Sequence, residues 1–86
     1  MKKAKRRTKS PRSPGAVDEY IGARMREGRL ALKMSQTDLG EKLGVTFQQV
    51  QKYEKGANRV SAARLFKICE ALDVSLASMF ERKLKD

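Results

Sequence analysis

The sequence predicts an all-α fold, a five-helix orthogonal bundle of short helices joined by tight links. Two observations predict it. Apolar residues in most of the 86-residue chain recur at offsets of three and four, the period of an amphipathic helix. Ser, Thr and Gly residues divide this part into short segments, and no stretch alternates with period two for long enough to suggest a sheet. The length fits one small domain.

The charge distribution separates three parts of the chain. Residues 1–15 carry seven Lys and Arg residues, no acidic residue and two Ser-Pro pairs, so this part is predicted to be a disordered basic arm. Either it is a solubilising or expression-derived tail, or it adds phosphate or minor-groove contacts to a nucleic acid. Residues 16–80 form the predicted globular domain, and residues 81–86 a charged tail.

The first two helices are indicated by their ends. The first is predicted from about residue 18 to Lys33, because two acidic residues favour its start. Two interior glycines weaken this prediction, each by about 1 kcal/mol relative to Ala. Ser35 is predicted to cap the second helix, with Asp38 reaching back to it, and Gly44 to end it. The apolar face of the first helix is predicted to hold Ile21, Met25 and Leu32.

The third helix is predicted over residues 47–55, between a Thr46-x-x-Gln49 capping box and Gly56. The link to the second helix is too short for relaxed antiparallel packing and suits the sharp angle of a helix-turn-helix. Gly40, without a side chain, is expected to let the third helix approach the second closely. The side chains predicted to hold the two helices together are Leu39, Leu43, Val45, Val50 and Tyr53.

Two further helices are predicted after this unit. Ser61 caps the fourth, whose apolar stripe is Leu65, Ile68, Cys69 and Leu72. Cys69 is predicted to be a small buried apolar residue, and the alternative is a redox sensor. Ser75 caps the fifth. Its apolar residues belong to the core or to a dimer contact, and the sequence leaves their division open: Leu76, Met79 and Phe80.

Helical geometry predicts a polar face on the third helix. At about 100° per residue, with Phe47 at 0°, its glutamine and lysine side chains at positions 48, 51, 52 and 55 fall between about 40° and 140°, opposite Val50 and Tyr53. Glutamine amides match the N6/N7 edge of adenine, lysine matches guanine, and an apolar side chain matches the thymine methyl. The face is therefore either a solvated surface or a reader of bases in the major groove. The predicted base-reading residues are Phe47, Gln48, Gln51 and Lys52.

Composition excludes several function classes. With no His and one Cys, the chain forms neither a disulfide framework, nor a Cys/His zinc cluster, nor a Ser-His or Cys-His nucleophile. We expect no enzymatic activity, no cofactor, no metal and no small-molecule ligand domain. No apolar run is long enough to cross a membrane, and no apolar stretch follows the basic N-terminus, so we expect a soluble, cytoplasmic protein. The net charge of +10 indicates a polyanionic partner.

Three segments resemble the signature of the phage-repressor-like helix-turn-helix family, also called the XRE or Cro-type family. They are Met34-Ser35-Gln36-Thr37-Asp38-Leu39-Gly40, Leu43-Gly44-Val45-Thr46 and Tyr53-Glu54-Lys55-Gly56. The resemblance covers about two thirds of the chain, from about residue 20 to 80. It implies a five-helix, lambda-repressor-like domain that binds operator DNA as a homodimer and regulates transcription, most simply as a repressor.

The resemblance also implies roles for single residues. Phe47, Gln48 and Lys52 are expected at base edges, and Arg29 and Glu54 as a partly buried pair that sets the angle of the recognition helix. For Phe47 the alternative is a packing anchor, and for the pair it is two unrelated surface charges. The sequence departs from the family in Gly40, where alanine is usual, and in Phe47, where several relatives use a polar residue. The predicted phosphate contacts are Gln36, Thr46, Gln49, Lys55, Asn58 and Arg59.

Two other functions remain open from the sequence. The chain could be an antitoxin that binds a partner protein and represses its own operon, although residues 81–86 are short for a toxin-wrapping segment. It could also bind RNA through the basic arm, although it has few aromatic residues for base stacking.

Overall fold

The computed structural model describes residues 15–81, and the predicted basic arm and charged tail therefore lie almost entirely outside the described residues. The described part is all-helical and contains no strand. No helix within it has the length and apolar character that spanning a membrane requires. The elements in chain order are α1 (Ala16–Ala31), α2 (Gln36–Leu43), α3 (Phe47–Lys55), α4 (Ala62–Leu72) and a 3₁₀ helix (Ala77–Phe80).

The predicted fifth helix is present as a 3₁₀ helix of four residues, which follows four α-helices in the described residues, so a bundle of five α-helices is not confirmed. Ser75 Oγ accepts a hydrogen bond from the backbone N–H of Ser78 at 3.2 Å, and the Ser78 hydroxyl donates to Ser75 O at 2.7 Å. These bonds span three residues and suit the tighter helix, while the segment is too short to offset the cost of nucleating an α-helix.

The end of α1 also differs from the prediction. The helix begins at Ala16 and ends at Ala31, before a turn in which Lys33 has a φ of 59°. Leu32 therefore lies beyond the helix and is 46% exposed instead of joining the apolar face. Arg29 holds this turn, because its Nη1 donates to Met34 O at 2.8 Å.

The ends of α2 and α3 follow the predicted caps. Ser35 Oγ accepts from the backbone N–H of Asp38, and Asp38 Oδ2 accepts from the backbone N–H of Ser35, both at 2.9 Å. The bond from the Ser35 backbone holds the pKa of Asp38 below its ordinary value. Thr46 Oγ1 accepts from the backbone N–H of Gln49 at 3.2 Å, which is one half of the predicted capping box, and Gly44 ends α2 with a φ of 76°. The second and third helices are thus confirmed.

One apolar core lies between the helices, and α3 packs on both α1 and α2. The predicted stripe of α4 is buried, which confirms the apolar reading of Cys69, whose pKa is raised by burial. The structure divides the set that the sequence left open, because Met79 is in the core whereas Leu76 and Phe80 are about half exposed. The core residues are Ile21, Met25, Leu39, Leu43, Val50, Tyr53, Leu65, Ile68, Cys69, Leu72 and Met79.

Two glycines allow helices and turns to approach at backbone distance. A Cβ on Gly22 would clash with the carbonyl oxygen of Tyr53 and lie 2.6 Å from that of Glu54, so α1 crosses the end of α3 with no side chain between them. A Cβ on Gly40 would lie 2.7 Å from Val45 O. Gly40 therefore makes room for the turn before α3, which corrects the expectation that it admits α3 itself.

We predict that Gly22→Ala lowers the free energy of unfolding by about 1–3 kcal/mol, because the added methyl group must push two backbone carbonyls away. Gly28→Ala is the matched control in the same helix, since its Cβ would meet only the Leu72 side chain, at 3.1 Å. We expect that control to stay within about 1 kcal/mol of the native chain, because helix propensity offsets the crowding. Equal effects in urea titrations would contradict the close crossing.

Candidate nucleic-acid interface

The polar face of α3 points away from the bundle. Gln48, Lys52 and Lys55 are exposed and Gln51 is half-buried, while Val50 and Tyr53 on the opposite side are buried. Phe47, at the first position of the helix, keeps 44% of its surface accessible. One side of α3 therefore carries amide donors and acceptors, two ammonium groups and an aromatic ring, all outside the core.

A buried ion pair fixes the end of α3 to α1. Arg29 Nε lies 2.6 Å from Glu54 Oε2, and Arg29 Nη2 donates to Glu54 Oε1 at 3.1 Å. The side chains are 8% and 3% exposed, so these are not unrelated surface charges. The paired, directional bonds set the position of the last turn of α3 relative to α1.

Gln36 joins this pair, which the sequence did not indicate. Its Nε2 donates to Glu54 Oε1 at 3.1 Å. The side chain that the resemblance assigns to a phosphate is thus half-buried and bonded to a carboxylate of α3 in the described structure. The two residues are 18 positions apart, and nothing in the local sequence of either one indicates the contact.

The other predicted phosphate contacts surround α3. Thr46 is exposed before the helix, Gln49 is half-buried in its first turn, and Asn58 is exposed in the loop after it. Arg59, in the same loop, donates from Nε to Asp18 Oδ2 at 3.4 Å, and Asp18 also accepts from the backbone N–H of Gly15. This link brings the start of α1 beside the loop after α3. Asp18 is one of the two acidic residues that favour the start of α1, and the local sequence does not indicate its contact with Arg59.

The chemistry offered by this surface is hydrogen bonding and positive charge. Donors of α3 and its flanking segments are exposed or half-buried, so they are accessible to a polyanion. Within residues 15–81, no group of three His, Cys, Asp or Glu side chains could hold a metal ion.

Known proteins with a helix-turn-helix are similar to this chain in sequence. A helix-turn-helix family model, HTH_3, matches residues 25–78. A protein of Sinorhizobium fredii called the uncharacterized HTH-type transcriptional regulator y4wC is 58% identical over 73 residues, which are 85% of this chain and 51% of that protein. The chain spans about half the length of the curated relatives it matches. Their names as transcriptional regulators do not favour an antitoxin.

Solved structures share the fold. The restriction-modification controller protein C.AhdI from Aeromonas hydrophila is similar with a TM-score of 0.68 and 32% identity, over 72% of this chain and 90% of that one. SinR, a master regulator for biofilm formation whose structure is a complex with DNA, gives a TM-score of 0.65 and 29% identity, over 71% of this chain and 98% of that one.

We predict that Arg29→Ala lowers the free energy of unfolding by roughly 3–5 kcal/mol, because it leaves the buried carboxylate of Glu54 without its compensating charge. Arg26→Ala removes the same charge from an exposed position of the same helix and is expected to change stability by less than about 0.5 kcal/mol. Thermal unfolding followed by circular dichroism measures both. An unchanged melting curve for Arg29→Ala would show that the pair does not hold α3 to α1.

Proposed function

The chain belongs to the helix-turn-helix family of transcriptional regulators, and from this premise we propose that it binds a specific operator in double-stranded DNA and represses transcription. The observation that carries the proposal is the exposed polar face of α3. Its amide and ammonium groups have no role in the core, and their chemistry matches base edges in the major groove. Gln48 and Lys52, with Phe47 and Gln51 beside them, are the proposed base-reading residues.

The proposed phosphate contacts hold α3 in register on the DNA. They come from both sides of the helix: Gln36 and Thr46 before it, Gln49 and Lys55 on it, and Asn58 and Arg59 after it. Such contacts fix position and orientation without reading sequence.

We further propose a homodimer on a roughly palindromic operator, with half-sites about 34 Å apart. Apolar side chains at the two ends of the 3₁₀ helix supply surface that a second copy could cover, since Leu76, just before it, and Phe80, its last residue, are 49% and 48% exposed. Arg24 supports this segment from α1, because its Nε and Nη2 donate to Ser78 O at 3.1 and 2.6 Å.

The basic arm predicted over residues 1–15 is proposed to add phosphate contacts. It carries seven positive side chains, and its last residue, Gly15, bonds to Asp18, which also bonds to Arg59 in the loop after α3. The proposal includes no enzymatic activity and no cofactor, and it places the protein in the bacterial cytoplasm, on the nucleoid when DNA is bound.

We predict that Gln48→Ala weakens binding to the operator by about 1–3 kcal/mol and leaves binding to random duplex nearly unchanged, because it removes one base contact and no phosphate contact. The operator is first selected from a random duplex library, and fluorescence anisotropy then measures both affinities. Asn58→Ala is the control, since the loss of a phosphate contact weakens both complexes equally. Equal losses for Gln48→Ala on the two duplexes would show that Gln48 reads no base.

We predict that deletion of residues 1–14 flattens the salt dependence of binding, because fewer counterions are released from the DNA. The slope of log K against log salt concentration is expected to fall by about 0.9 for each phosphate that this segment neutralises. A chain of native length with the seven basic residues replaced by Gln is the matched control, and it should reproduce the deletion. An unchanged slope would show that the segment does not reach the DNA.

A further inference from the structure

The side-chain amide of Gln36 has a defined orientation. Its Nε2 lies 3.1 Å from Glu54 Oε1, an oxygen that also accepts from Arg29 Nη2. Both carboxylate oxygens of Glu54 accept from Arg29, so they offer acceptors and no donor to Gln36. Gln36 must therefore present its NH₂ group to Glu54 and turn its amide oxygen elsewhere.

The NH₂ group of Gln36 has two N–H bonds, and Glu54 Oε1 can take only one of them along the 3.1 Å contact. Gln36 is half-buried, so part of this residue still reaches the surface at the first position of α2. The first backbone N–H groups of a helix also lack partners within the helix. The free N–H of the amide and these backbone groups thus lie at the same helix end.

We propose that Glu54 is a positioning residue for DNA binding, which orients the Gln36 amide so that its second N–H donates to a DNA phosphate. The inference rests on the proposed function. Without a carboxylate beside it, the Gln36 amide can rotate and present its oxygen, which repels a phosphate.

The surroundings of Glu54 suit this role. A carboxylate near DNA normally opposes binding, but the Glu54 side chain is only 3% exposed and is neutralised by two bonds from Arg29. The negative charge of Glu54 therefore acts on the Gln36 amide that it contacts. At the distance of a phosphate, the positive charge of Arg29 largely cancels it. Arg29 makes it possible for an acidic residue to organise a surface that binds an anion.

The first test uses random-sequence duplex at low salt, since a phosphate contact carries no sequence information. Gln36→Ala should weaken binding by about tenfold in the native chain, the effect of one hydrogen bond to a charged group. The neighbouring exposed residue supplies the control, and Thr37→Ala should change binding by less than about twofold. In a second background, Arg29→Met with Glu54→Leu, apolar side chains replace the pair. In this apolar background, Gln36→Ala should weaken binding by less than about twofold.

A second pair of measurements separates positioning from a general displacement of α3. Lys55→Ala removes an exposed charge of α3 and should weaken binding equally in both backgrounds. If its effect also disappears in the apolar background, Glu54 acts on the whole helix and the proposal is overturned. An equal cost of Gln36→Ala in both backgrounds overturns it as well.

Nuclear magnetic resonance of the full native chain tests the same point if the apolar background fails to fold. In the spectrum of side-chain NH₂ groups, one Gln36 proton should keep its shift when duplex is added, and the other should move. Movement of both, or of neither, overturns the positioning role. If the backbone signals of Gln48 and Lys52 move while those of Gln36 do not, the proposed function is supported and the positioning role of Glu54 is overturned. If no signal moves, the proposed function and the positioning role are both overturned.

Discussion

The ion pair between Arg29 and Glu54 is the interaction on which the placement of α3 depends. One guanidinium bonds to the carboxylate at the end of α3 and to Met34 O in the turn before α2, so a single side chain ties together α1, that turn and α3. Burial costs both charges their hydration, which offsets much of their attraction. The pair is thus better understood as a geometric constraint than as a large source of stability.

Backbone contacts extend this constraint to the whole helix-turn-helix unit. Gly22 lets α1 touch the carbonyls at the end of α3, and Gly40 lets α2 touch the turn that leads into α3. Because both contacts involve backbone atoms, they do not depend on which side chains the outer face of α3 carries. Gln48 and Lys52 can therefore change without loss of packing, and binding specificity can vary on a constant fold.

The sequence predicted the elements whose ends are determined locally. Ser35, Thr46 and Ser61 cap their helices through bonds to a residue three positions later, so α2, α3 and α4 are found where local patterns indicate. The end of α1 depends on a turn that the bond from Arg29 to Met34 O holds, and local patterns therefore predicted a helix that is too long. The polar face of α3 followed from helical period alone. In contrast, the bond between Gln36 and Glu54 spans 18 residues and has no local signal.

Under the proposed function, affinity and specificity reside in different parts of the chain. Residues 1–15 carry seven positive charges, whereas the remaining 71 residues have a net charge of +3. Attraction to phosphates acts at a distance, weakens with salt and is equal for all sequences, while hydrogen bonds to bases act only on contact. A change in the basic segment then alters the strength of binding to operator and random DNA together. A change on α3 alters the ratio of the affinity for the operator to the affinity for random DNA. Such discrimination requires that α3 meets the DNA at one fixed angle, and the buried pair holds it there.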